Sequence, residues 1–178
     1  MTTKVSSAMQ DLTDDYAFSG TVSGAGKIVQ VVNTQTGTMA TGTTAAAVYD
    51  NTSALITEGD EYMTLAITPT SATNKLMIDV VFQYAHSVAT IHFWAALFNT
   101  DSHATDALAT GYEVTEAGGQ AKIIGFRHYM TAFGTSATTF RVRAGGSTGA
   151  TTTFNGRSGT AVFNGAIPSS ITITEIQV

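Results

Sequence analysis

The feature that most constrains this chain is a run of three alternating segments between residues 61 and 98. Apolar and polar side chains alternate along Tyr62–Thr68 and Lys75–Tyr84, and Ile91–Phe98 follows after a short polar stretch. The first two segments are separated by a turn sequence at Pro69–Ser71. A period of two with β-branched and aromatic residues is typical of strands that pair in sequence order. These residues predict an antiparallel meander.

The third predicted strand, Ile91–Phe98, is apolar on both of its faces. Phe93 and Leu97 fall on one side, and Trp94 and Phe98 fall on the other. A strand of this kind has to be covered twice. The second cover is either a sandwich partner or another subunit, and the sequence leaves both open.

The rest of the globular part continues the β pattern without an interior helix pattern. Eight or nine strands at regular spacing predict an all-β fold, a two-sheet antiparallel sandwich of jelly-roll type. Further strands are expected at Lys27–Val32, Lys122–Phe133 (with a bulge at Gly125), Thr138–Arg143, Thr151–Phe154 and Ile171–Val178.

The last predicted strand places a charged residue at a position where its alternation predicts a core-facing side chain. Its alternation carries Ile171 and Ile173 on to Glu175. Either a β-bulge moves Glu175 to the outer face of the strand, or its carboxylate is partly buried beside a basic partner. Arg141 and Arg143 are the expected candidates for that partner.

The first 26 residues differ from the remainder and form a separate predicted segment, ahead of a sandwich domain at 27–178. Val5, Met9, Leu12 and Tyr16 fall at helical spacing with aspartates between them. Two interpretations stay open: a frayed amphipathic tail, or a short helix that associates with copies of itself or with a platform. A glycine-punctuated linker, Ala17–Gly26, follows.

Charge and cysteine content exclude several classes of protein. Only 12% of residues are charged, against about a quarter in an average soluble domain, and such a surface suits crowded subunit contacts. A net charge of −5 argues against sequence-independent nucleic-acid binding. With no cysteine there is no disulfide frame, CxxC zinc site or thiol nucleophile. No signal core or run of 18 apolar residues is found, so we expect no membrane insertion.

No motif indicates catalysis, and we expect neither an enzyme nor a cofactor. The chain has no HExxH or GxSxG, and Gly145–Gly149 lacks the lysine of a phosphate-binding loop. Of the four histidines, His92 and His128 lie in predicted strands, where structural hydrogen bonding is the expected role.

The longest polar segment of the domain, Asn99–Gln120, reads as an insertion between strands, and long loops in compact domains are often functional. It offers His103, Asp106, Tyr112 and Glu113, hydrogen-bonding groups and one ring that suit a weak saccharide contact. The competing hypothesis is that this loop packs on a neighbouring subunit.

Three residues are candidates for an oligomer interface. Trp94 and Phe98 lie on the second apolar face of their strand, where core or subunit interface is favoured over a sugar platform. Arg157 follows a predicted Asn155-Gly156 turn and is either solvated or paired across subunits.

Four stretches carry a resemblance to a known family. Gly26–Val32 (GKIVQVV), Leu65–Met77 (LAITPTSATNKLM) and Phe154–Ile176 (FNGRSGTAVFNGAIPSSITITEI) resemble the head, or knob, domain of bacteriophage tail-fibre-like proteins common in aquatic phages. Asp11–Gly24 is similar to the linker that precedes such domains. The resemblance covers residues 11–178, and the order and spacing of the pieces carry it.

The resemblance implies a homotrimeric sandwich knob on a virion that binds host surface molecules, with a host surface glycan as a candidate partner. Because no signal core is found, we expect the chain to be made in the host bacterial cytoplasm. Only about two dozen residues precede the knob, which implies a short fibre or spike attached to another virion protein through residues 1–26. Two alternatives stay open: a capsid head-decoration fibre without host recognition, and a lectin-like glycan-binding module that is not part of a virion.

Overall fold

The computed structural model describes residues 26–46, 50–100 and 105–178. Within these residues the fold is all-β, as predicted, with one turn of 3-10 helix at Phe163–Gly165. The predicted anchor segment lies outside the described residues except for Gly26. The strands are β1 Lys27–Thr36, β2 Ala40–Gly42, β3 Asp60–Ile67, β4 Lys75–His86, β5 His92–Asn99, β6 Ala109–Val114, β7 Ala121–Thr131, β8 Thr138–Gly146, β9 Thr152–Phe154, β10 Gly156–Arg157, β11 Thr160–Ala161 and β12 Ser169–Gln177.

Two antiparallel sheets form the predicted sandwich. In the first sheet the order is β1-β12-β4, with β7 on the opposite edge of β4 and β9 and β2 continuing from its far end. In the second sheet the order is β3-β8-β5-β6. Strands adjacent in a sheet are mostly distant in sequence, and the chain crosses repeatedly between the sheets. This connectivity is that of a jelly roll.

Aromatic side chains from both sheets fill the space between them. Phe82 and Tyr84 of β4 meet Phe93 of β5, and the rings of Tyr84 and Phe93 stack with centroids 3.8 Å apart. Phe140 from β8 and Phe154 from β9 are buried in the same cluster. The alternation along β4 and β5 therefore places one face of each strand in a shared core, as the period of two predicted. The predicted antiparallel meander is wrong, because β3, β4 and β5 do not pair with one another. β3 pairs with β8, β4 pairs with β12 and β7, and β5 pairs with β6 and β8.

The predicted loop at Asn99–Gln120 is wrong in its central part, because β6 occupies Ala109–Val114 and pairs with β5. The sequence ATGYEV is too small and polar to give a clear strand signal. Gly111 is required there, since a Cβ would lie 2.3 Å from Ile124 Cγ2 of the facing sheet. The bulge expected at Gly125 is also wrong, because β7 pairs with β4 without a register shift.

Glu175 is completely buried, and its expected arginine partner is wrong. Its carboxylate accepts hydrogen bonds from Gln30 Nε2 at 2.6 Å, from Asn74 Nδ2 at 2.6 Å, and from the backbone N–H and hydroxyl of Thr70, both at 2.8 Å. Arg141 and Arg143 instead lie on the second sheet beside Glu61. The bulge exists in the partner strand, where the β1 register shifts just before Gln30.

Burial alone would raise the pKa of the Glu175 carboxyl. The hydrogen bonds from Gln30, Asn74 and Thr70 outweigh it and hold the pKa at about 2. Because the pKa is below its usual range, the carboxylate stabilises the fold at neutral pH. That contribution is lost as the pH falls from about 4.5 through 2.

We therefore expect Glu175→Gln to lower the free energy of unfolding by about 3 kcal/mol at pH 7, because an amide presents donors to donors and loses the charge. Urea denaturation of both proteins measures this difference. It should shrink steadily between pH 5 and pH 2, because the carboxyl of the unfolded chain is protonated in this range, whereas the native carboxyl is protonated only near pH 2. Glu116→Gln, at an exposed position, is the matched control. An equal difference at pH 7 and pH 2 would contradict the charge-based account.

Candidate functional site

The middle of the outer face of the second sheet, along β5, is covered by the chain itself. Trp94 is 5% exposed and Phe98 is completely buried; both pack with Ala46, Ala54 and Ala96. Ala46 and Ala54 belong to the β2–β3 connection. The second cover predicted for β5 is therefore intrachain, and Phe98 has no surface for the expected contact with another subunit.

The outer face of the first sheet carries apolar side chains without such a cover among the described residues. The strand register aligns Val31, Thr174, Met77 and Tyr129 in one row across β1, β12, β4 and β7. Val31 is 55% exposed and Tyr129 is 53% exposed at the two ends of the row. We call this surface the open face; its other apolar members are Ile28, Ile176, Val81 and Ile123.

The charges on the open face nearly cancel. Arg127 of β7 donates from Nε to Asp79 of β4 at 2.6 Å, and the two residues are cross-strand partners. Lys75 Nζ donates to the hydroxyl of Thr131 at 2.6 Å. Asn33 and Thr172 add neutral hydrogen-bonding groups, which bond to each other. A surface of this composition resembles a subunit interface more than a solvated sheet face.

The structure does not bring the predicted saccharide-binding residues together. Tyr112 and Glu113 are neighbours in β6, and successive strand residues point to opposite faces. The Tyr112 ring stacks on His92, on the outer side of the second sheet. Glu113 instead contacts Lys122 Nζ and, at 3.4 Å, the hydroxyl of Tyr84.

The other two predicted contacts lie in the preceding segment. Asp106 is exposed and forms an isolated bridge with Leu55, so its backbone helps to close the segment over Trp94. His103 lies outside the described residues. A joint saccharide site with Tyr112 and Glu113 is therefore not formed by the described members of the predicted set.

Polar contacts at the β6–β7 edge are satisfied within the chain. Burial, followed by the nearby negative charge of Glu113, raises the pKa of Tyr84. Arg157 Nε donates to the carbonyl of Gly119 at 2.8 Å, which ties the β10–β11 hairpin to the β6–β7 connection. The sequence left Arg157 open between a solvated side chain and a pairing across subunits, and this intrachain contact engages one of its five guanidinium N–H groups.

The described residues contain no group of three or more histidine or acidic side chains placed to hold a metal ion. His86 is almost completely buried, and its Nδ1 accepts from the backbone N–H of Val88 at 3.2 Å. Burial lowers the pKa of His86, which favours the neutral ring. No described helix is long and apolar enough to cross a membrane.

The sequence pattern did not single out the residues of the open face. In β7 both sets of alternate positions carry apolar residues, with Ile124 and Phe126 on the core side and Ile123 and Tyr129 on the outer side. This two-sided apolar pattern is the sequence signal that could have identified the open face. The same pattern in Ile91–Phe98 predicted that β5 is covered on both faces.

Neither a protein-family model nor a curated protein matches the chain. Solved structures are similar in fold at low identity. An Eiger TNF from S. frugiperda shares 10% identity over 83% of this chain and 93% of that chain, with a TM-score of 0.44. A chain of the infectious bursal disease virus Gx strain shares 12% identity over 83% of this chain and 39% of its own, with a TM-score of 0.37. A VP2 subviral particle of the same virus matches at 11% identity, over 84% of this chain and 40% of that chain, with a TM-score of 0.38. This chain thus spans about two fifths of the viral chains.

Trp94 is the single tryptophan and reports on the intrachain cover. We expect its fluorescence to be blue-shifted and shielded from acrylamide at every protein concentration, because the shielding residues belong to the same chain. Quenching is measured across a dilution series, with urea-unfolded protein as the exposed reference. Quenching that increases on dilution would show that another subunit provides the cover.

Proposed function

We propose that this chain is a non-enzymatic structural component of a bacteriophage virion, a short homotrimeric fibre or spike knob. The observation that carries the proposal is the open face, an apolar and nearly neutral sheet surface on a chain that covers Trp94 and Phe98 of its other sheet with its own residues. Large exposed apolar surfaces on soluble proteins mark sites of interaction.

The resemblance to phage fibre knobs supplies the virion context of the proposal, and residues 1–26 supply the attachment to another virion protein. Host-surface contact follows from the resemblance as well. The head-decoration alternative differs from the leading one only in this contact. Both use the same self-associating sandwich, which is the part that the open face supports.

The first prediction is that the proposed homotrimer is present in solution. Light scattering should give three times the 18.5 kDa chain mass at micromolar concentration. Substituting Val31→Lys and Tyr129→Lys together should convert the trimer to monomers, because both side chains are exposed in the chain and would bring charges into the contact.

The matched control for this variant is Ala66→Lys with Thr110→Lys, which adds the same charge at exposed positions of the second sheet. Circular dichroism verifies that both variants are folded. A wild-type mass near 18.5 kDa at all concentrations would rule out the trimer. A trimer that tolerates the open-face lysines but not the control lysines would move the interface to the other sheet.

The attachment segment gives a separate expectation. Deleting residues 1–26 should leave a folded knob that no longer joins particles, because β1 begins at Lys27 and the core cluster of the described residues lies in the chain from β1 onward. Particle incorporation is measured by immunoblot of purified virions. Normal incorporation would place attachment in the sandwich, and an unfolded product would place the segment in the core.

A further inference from the structure

The tripeptide Phe-Asn-Gly occurs twice between the end of β9 and the start of β12, and its two phenylalanines differ in burial. In the first copy Phe154 is 2% exposed in the core. In the second copy Phe163 is 79% exposed. The asparagine adopts a positive φ in both, 49° at Asn155 and 51° at Asn164. The phenylalanines differ, since Phe154 ends strand β9, whereas Phe163 itself has a φ of 49°. The first ring therefore points into the core, and the second is presented to the surroundings.

The second copy is held in a strained conformation. Phe163, Asn164 and Gly165 have φ values of 49°, 51° and 79°, and a bulky residue such as phenylalanine rarely adopts such angles. Backbone packing maintains the turn, since a Cβ at Gly37 would lie 2.0 Å from the carbonyl oxygen of Gly165. Strain of this kind concentrates at sites of contact and function.

A groove at the β7 edge of the first sheet is mostly apolar, like the Phe163 ring. It is open to solvent, has a volume of about 400 Å³ beside the end of β7, and is lined mostly by apolar side chains. Tyr129 belongs to both the groove and the open face. The groove is lined by Ala107, Leu108, His128, Tyr129, Met130, Thr131, Ala132 and Phe133.

The ring and the groove lie on opposite edges of the first sheet. Gly165 packs against Gly37, which follows the edge strand β1, whereas the groove lies beside β7 on the other edge of β4. A projection on one edge and a recess on the other suit a heterologous contact, in which each copy binds the next in a closed ring.

We propose that Phe163 of one copy inserts into the β7-edge groove of the next copy and anchors the subunit contact of the trimer. This contact rests on the proposed function and names its anchoring residue. A second copy is the occupant because Tyr129 belongs both to the groove and to the open face, so the groove continues the surface proposed for self-association. The near-neutral open face between them also lets two chains of equal net charge approach without bringing like charges together.

The absence of native cysteine makes cross-linking a clean test. Phe163→Cys and Thr131→Cys are made as two single variants and as one double variant, and each is treated with a mild oxidant. Mixing the single variants should yield a disulfide-linked dimer that contains one chain of each. The double variant should yield covalent trimers on a non-reducing gel. Thr110→Cys replaces Thr131→Cys as the control, since Thr110 is exposed on the other sheet.

A second variant measures how much the ring contributes. Phe163→Ser should raise the protein concentration at which half of the trimer dissociates by at least about 30-fold, as for an interface anchor. Val178→Ser, at another strongly exposed apolar residue, should leave it unchanged. Sedimentation velocity across a dilution series measures both.

The outcomes separate this contact from the trimer itself. A trimer that shows neither the mixed disulfide nor a response to Phe163→Ser overturns the Phe163 contact and leaves the trimer standing. Disulfides between two Phe163→Cys chains alone would indicate a symmetric contact and also overturn it. A wild-type protein that is monomeric throughout overturns both proposals.

Discussion

The fold depends on a carboxylate that is buried without a cation. Glu175 accepts hydrogen bonds from Gln30 in β1 and from Thr70 and Asn74 in the β3–β4 connection, so one group joins β12 to both. Four hydrogen-bond donors around this one carboxylate offset the free energy that it costs to remove its charge from water. Without these donors the desolvation would not be compensated. The other end of β12 has its own polar centre, where Ser169 donates to the buried side chain of Asn155 at 2.7 Å. With both ends fixed, β12 can serve as the strand that pairs β1 with β4.

That arrangement also determines which surfaces are left for other molecules. The second sheet uses its own β2–β3 connection to cover Trp94 and Phe98, and no comparable described segment lies over the first sheet. The Asn155 centre fixes the start of the β9–β12 connection as well, because its amide donates to the carbonyls of Thr36 and Thr38. The strained Phe163 turn lies further along the same connection, where the backbone of Gly165 packs against Gly37. A turn that is already held in one conformation loses less entropy when it binds a partner.

The candidate site was less predictable from sequence than the fold, for a physical reason. A period of two identifies which residues share a face, and it correctly placed Phe93 and Leu97 opposite Trp94 and Phe98. It does not say what lies over a face. Trp94 was expected at a core or subunit interface and is covered by distant residues of its own chain, whereas Val31 and Tyr129, in less apolar strands, remain exposed. Whether a face is buried or exposed depends on where segments distant in sequence pack. A local sequence pattern carries little information about that packing.

The sequence by itself determined the all-β class, the sandwich and most strand positions, because strand periodicity is local and strong. It also identified Glu175 as an inward-facing carboxylate that required an explanation. Only the tertiary structure decided that its partners are amides and a threonine, because these come from elements separated by roughly a hundred residues. The same holds for β6, whose weak pattern becomes a strand through pairing with β5. The local sequence determines which residues share a face of a strand. Which segment covers that face, and which groups hydrogen-bond there, depends on contacts between segments that are distant in sequence.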